Sequence, residues 1–115
     1  MARVTIKRIE DCDYFKGPNA IAGIKFRPVA RELGVAAWGM NVLEIEPGCA
    51  GYPEHDHAQD GQEEVYVVLK GSAALEPGMV ARVGPDTKRK FLAGRNGLLL
   101  LAIGGTPGKA YPARA

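Results

Sequence analysis

The sequence predicts an all-β protein, a small sandwich or barrel. Short strand-like runs recur along its 115 residues, and its 15 glycines and 8 prolines are spread between those runs as turn signals instead of being gathered in a linker. Few segments permit a helix. Short strands at close spacing between such turns are the mark of sandwiches and small barrels.

In chain order, the first run is 4–9, followed by 23–29. The best helix candidate, Val29–Leu33, is about a turn long and stops at Gly34, a residue suited to a helix C-cap. The long run 36–45 (AAWGMNVLEI) ends at the turn EPGCAG and carries Trp38 and Met40, both expected in the core. Runs 52–57 and 64–70 flank a polar stretch. LEPG precedes 79–83, and AGRNG separates 90–92 from 98–103, where LLLLAI reads as one buried strand. The length fits one domain over 1–115, with N-terminal strands and arm at 1–35, the core barrel region at 36–103 and a C-terminal arm at 104–115.

Composition excludes several functions. Lys and Arg total 15 against 13 Asp and Glu, a net charge of +2, and only Lys88, Arg89 and Lys90 cluster. Nucleic-acid binding usually needs a basic face with interleaved aromatics, so none is expected. No apolar stretch approaches the roughly 20 residues that span a bilayer, so no membrane partner is expected. Cys12 and Cys49 are far apart and match no CxxC pattern, and MARVTIKRIED lacks the apolar region of a signal peptide. A cytoplasmic setting with reduced thiols is the expectation.

The chemistry concentrates in HDHAQDGQEEVYVVLKG, which begins at His55 and holds both histidines of the chain. In a strand, alternate side chains share a face, so His55 and His57 point one way and Asp56 the other. Glu64, Tyr66 and Val68 share a face of the next strand. If the two faces meet inside a barrel, two imidazoles and a carboxylate converge. Imidazole nitrogen and carboxylate oxygen suit borderline divalent metals, and three such donors leave positions open for water or substrate. The competing account is an exposed polar loop.

This stretch resembles the first motif of the cupin superfamily: glycine, spacer, His-x-His, spacer, glutamate, six residues, glycine. Gly48, His55, His57, Glu64 and Gly71 fill it, with VYVVLK as the six. The spacers flanking the histidines are longer than usual, so Gln62 or Glu63 are alternatives to Glu64. The second motif, laid from Gly78, keeps its frame and loses its residues: Arg89 stands where histidine is expected and Ala93 where asparagine is. Only SAALEP separates Gly71 from Gly78, where a longer hairpin is usual, so a sheet edge is expected to need cover. The resemblance implies a double-stranded β-helix (jelly-roll barrel), an Fe, Mn, Ni or Zn ion on His55, His57 and Glu64, dioxygenase or isomerase chemistry if the protein is an enzyme, and a homodimer.

Arg89 cannot ligate a metal. A fixed positive charge near a dication costs about 4 kcal/mol per unit charge at about 4 Å and an effective dielectric of about 20. Phe91, on the same face of the strand, favours the interior and draws Arg89 inward. Two resolutions stand open. In one, a small carboxylate or oxygen-rich ligand chelates the metal and is gripped by Arg89, with Tyr66 as a further hydrogen-bonding candidate. In the other, Arg89 replaces the ion in a metal-free barrel that binds or senses a small anion or sugar.

Overall fold

The computed structural model describes residues 3–112. A single 3-10 turn (Ile9–Asp11) precedes β1 (Ile24–Arg27), α1 (Val29–Leu33), β2 (Gly39–Ile45), β3 (Glu63–Gly71), β4 (Val80–Val83) and β5 (Leu98–Gly105). The strands form one sheet in the order β1-β2-β5-β3-β4, antiparallel throughout. Among the described residues the architecture is all-β, as predicted.

Alternation along the strands divides two layers of packing. The inner layer takes Leu43 and Ile45 from β2, Tyr66 and Val68 from β3, and Leu98, Leu100 and Ala102 from β5. Tyr52, Phe91 and Ala93 close over them from the loops. Leu100, with no exposed surface, illustrates the stabilisation: burying such a side chain contributes about 1.5–3 kcal/mol. On the outer face, Val42 packs with Cys12 and with Val29 of α1, and Leu33, Met40 and Leu101 flank them. The helix is therefore a cover for the back of the sheet, and it ends at Gly34 (φ 81°) in the left-handed region that glycine enters without strain.

Three predicted strands are absent. Residues 4–8 form no strand, and Val4 and Ile6 are 72% and 87% exposed. Segment 90–92 forms no strand, and 52–57 contributes only the bridge from His55 to Arg89, where each N–H donates to the other's carbonyl at 3.1 and 2.8 Å. Pro53, opposite Phe91 in this register, has no backbone N–H to donate, so the next hydrogen-bonded pair of a regular ladder cannot form on that side, and only scattered bonds such as His57 N–H to the Pro85 carbonyl at 2.8 Å join the two segments. Trp38 is not core either: it precedes β2 and is 45% exposed.

The short link after Gly71 leads directly into β4, which pairs with β3 from Val67–Val80 to Glu64–Val83. Among the described residues no strand lies beyond β4 in the sheet. The tail does more than lie on the surface, since Tyr111 approaches Gly39 closely and lines the central cavity. Residues 113–115 of the expected arm lie outside the described residues.

Candidate metal centre

The loop between β2 and β3 turns His55 and His57 onto Glu64, at the start of β3. One donor atom from each of the three lies within 4.8 Å of the others. His57 Nε2 is 3.2 Å and His55 Nε2 3.8 Å from Glu64 Oε1. Zinc–nitrogen and zinc–oxygen bonds of about 2.0–2.2 Å place two ligands of one ion between about 3 and 4.4 Å apart, so these spacings fit a shared cation. Asp56 turns away from the trio and accepts the Ala58 N–H at 3.1 Å.

The rings are oriented from behind. His55 Nδ1 lies 3.0 Å from the Pro53 carbonyl, and His57 Nδ1 lies 3.1 Å from both carboxylate oxygens of Asp60. A carbonyl or carboxylate only accepts, so each Nδ1 carries the hydrogen and a neutral ring keeps its lone pair on the inward Nε2. His57 Nε2 is buried and has no hydrogen-bond partner. A lone pair there would face the Glu64 oxygen, acceptor against acceptor, unless a proton or a cation stands between them.

Asp60 is the functional residue the sequence reading missed. Partial burial works to raise its pKa, but the Gln62 N–H and the His57 ring outweigh it and hold the carboxyl below its usual value. Gln62 Nε2 donates to the second carboxylate oxygen at 3.2 Å, and the Thr106 hydroxyl donates to the Asp60 carbonyl at 2.9 Å. The only signal in the sequence was an Asp-Gly turn three residues after His57.

Of the three candidate positions, Glu64 is the one whose carboxylate lies beside both histidines. Glu63 faces outward and pairs with Arg82 at 2.8 Å. Gln62 is buried beside the trio but is engaged with Asp60. The Tyr66 hydroxyl donates to Glu64 Oε1, and the ring is 1% exposed, so its polar end holds the glutamate instead of facing the cavity. Burial raises the Tyr66 phenol well above its usual range, and burial pushes Tyr52 up to about 12.

Arg89 faces inward, 7% exposed, with Nε 3.8 Å from Glu64 Oε1. Its Nη1 donates to the His55 carbonyl at 3.4 Å and its Nη2 to the Gly84 carbonyl at 3.1 Å. The two carbonyl bonds hold the guanidinium behind Glu64, away from where the bidentate grip on a ligand carboxylate expected of Arg89 would form. Neither Arg89 nor Tyr66 lines the cavity.

That cavity, of about 340 Å3, opens in front of the trio. His55, His57, Gln62 and Glu64 line it on the side of β3; Ile24, Phe26, Asn41 and Leu43 line it on the side of β1 and β2, with Ala102 of β5 between them, and Phe15, Ile21 and Tyr111 complete the lining. Gly104 lies under the metal wall, where a Cβ would come 3.0 Å from Gln62 Oε1 and 3.4 Å from Glu64 Oε2.

The fold is similar to that of a solved cupin protein. A crystal structure of a cupin protein from Bacteroides fragilis superposes with a TM-score of 0.64 over 99% of this chain and 93% of that one, at 18% sequence identity. No family model matches the sequence, and no curated protein matches it. No helix among the described residues is long and apolar enough to cross a membrane.

Proposed function

We propose that this protein is a divalent-metal cupin that binds a small molecule at the metal, with His55, His57 and Glu64 as the protein ligands. The observation that carries this reading is the buried, unpartnered Nε2 of His57, aimed at the Glu64 carboxylate with its ring locked from behind by Asp60. A metal ion satisfies that nitrogen and both neighbouring donors at once. Two imidazoles and one carboxylate suit Fe, Mn, Ni or Zn and leave open positions for an exogenous ligand. The bound ion would supply Lewis-acid polarisation or dioxygen activation, the chemistries of the dioxygenase and isomerase branches that the sequence resembles.

One observation favours a metal-free alternative: Arg89 already places a buried cation beside Glu64. The alternative makes the barrel a binding or sensing module without catalysis, in which a protonated His57 bridges to Glu64. Elemental mass spectrometry on untagged protein separates the two. Near-stoichiometric metal that disappears in the His55→Ala, His57→Ala double variant supports the first reading. Wild-type protein that carries no metal and takes up none when it is added overturns it. The unpaired edge of β4 and the exposed Val80, Val4 and Ile6 support a homodimer as the working form.

A further inference from the structure

The cavity has two chemically different walls, and its charge pattern restricts what can occupy it. Among its described lining residues the only carboxylate and imidazoles are Glu64, His55 and His57, and none is lysine or arginine. Three described cations near these residues are turned elsewhere. Lys25 and Arg27 alternate onto the other face of β1 and pair with Glu44 at 3.9 and 3.1 Å. Arg89 stands behind Glu64 with both terminal nitrogens bonded to carbonyls. A second negative charge on the body of a ligand would therefore meet a largely apolar surface with no counter-ion among the described lining residues, a costly burial.

The rest of the lining is largely hydrocarbon, with Phe15, Ile21, Ile24, Phe26 and Leu43. Asn19 and Asn41 add neutral polar groups to the lining. Phe15 and Ile21 are 48% and 37% exposed, and an occupant would give them apolar surface to cover. The volume, about 340 Å3, is near the lower end of the roughly 300–1,000 Å3 typical of small-molecule sites. It suits a single ring with short substituents better than a nucleotide or a disaccharide.

We infer that the ligand is a small molecule with one oxygen-donor head for the metal and an uncharged, apolar body, and that polyanions and phosphorylated compounds are excluded. This rests on the metal reading above. It differs from the carboxylate gripped by Arg89 that the sequence pointed to, because Arg89 is withdrawn from the cavity.

Three hydroxamates with the same chelating head test it on zinc-loaded protein by isothermal titration, with zinc retention checked after gel filtration. Benzohydroxamate carries an apolar ring, acetohydroxamate almost no body, and 4-carboxybenzohydroxamate a charged ring. Benzohydroxamate is expected to bind at least roughly tenfold tighter than acetohydroxamate, the gain from burying a ring, and 4-carboxybenzohydroxamate at least roughly tenfold weaker than benzohydroxamate. Ile21→Lys, a change at a partly exposed position on the apolar edge, is expected to narrow or reverse the second preference. Equal affinity of acetohydroxamate and benzohydroxamate, or a preference of the wild type for the charged ring, would overturn the inference. So would zinc-loaded protein that binds none of the three, which leaves the metal site standing. Protein that takes up no zinc overturns the metal reading itself, and this inference with it.

Discussion

At the scale of single residues, the site is a carboxylate oxygen approached by four groups. His55, His57, Arg89 and Tyr66 all reach toward Glu64 Oε1. Asp60 then decides which His57 nitrogen is offered to the centre. Losing an outer partner of a metal-ligating histidine typically costs about 10–100-fold in metal affinity, and Asp60→Asn is expected to fall in that range by competition with a chelator of known affinity. Asp56→Ala, which removes a carboxylate that faces away, should leave affinity unchanged; equal losses in the two variants would break the orientation argument. Arg89→Met is expected to move two readouts in opposite directions. Removing the buried cation should tighten metal binding roughly tenfold, while the loss of its two carbonyl bonds should lower the melting temperature of metal-free protein. If metal binding falls with stability, Arg89 is holding the geometry of the trio and its charge is secondary. The histidines and Glu64 were legible in the sequence because alternation and motif spacing both constrain them. Asp60 was not, since the direction of a side chain in a tight turn depends on the path of the loop, here fixed by the Gln62 amide and the Thr106 hydroxyl.

At the scale of elements, β2, β3 and β5 were visible as apolar or alternating runs, and α1 was found with its cap because Gly34 ends it. The run 52–57 has strand-like alternation, but a regular ladder needs a donor at every second residue, and Pro53 has none. Gly71, which closes the first motif, shows how an element boundary is enforced. It ends β3 at φ 77°, and a Cβ there would come 2.0 Å from the Gly97 carbonyl oxygen. Left-handed strain costs a non-glycine residue roughly 1–2 kcal/mol, and forced overpacking typically adds about 1–3 kcal/mol. Gly71→Ala is therefore expected to destabilise the fold by at least about 2 kcal/mol in urea unfolding, whereas Gly78→Ala, where a Cβ would meet nothing within 4 Å, should cost only the left-handed strain. Similar losses for both would show that the close approach to Gly97 is relieved cheaply.

At the scale of the whole molecule, the back of the sheet is covered at one side only. Helix α1 and the 3-10 turn pack against Val42, Leu99 and Leu101, and this cover does not reach β4. Val80 on that strand is 73% exposed and Met79 beside it 46%. The outer edge of β4 is unpaired, and the 3–8 segment carries Val4 and Ile6 in the open with strand-like spacing. An exposed apolar edge strand invites pairing with another chain, and natural proteins usually guard one with charge, proline or a neighbour. In a homodimer the neighbour would be the second subunit, which would use the strand pattern that 4–9 shows in sequence and does not satisfy within its own chain. Light scattering at micromolar concentration should then give a dimer mass, and Val80→Lys should shift it to monomer. Because Val80 is mostly exposed within one protomer, this variant should keep its fold and its zinc content. A wild-type monomer would leave β4 guarded by its shortness alone, four residues, and would remove any need for a partner to explain the exposed arm.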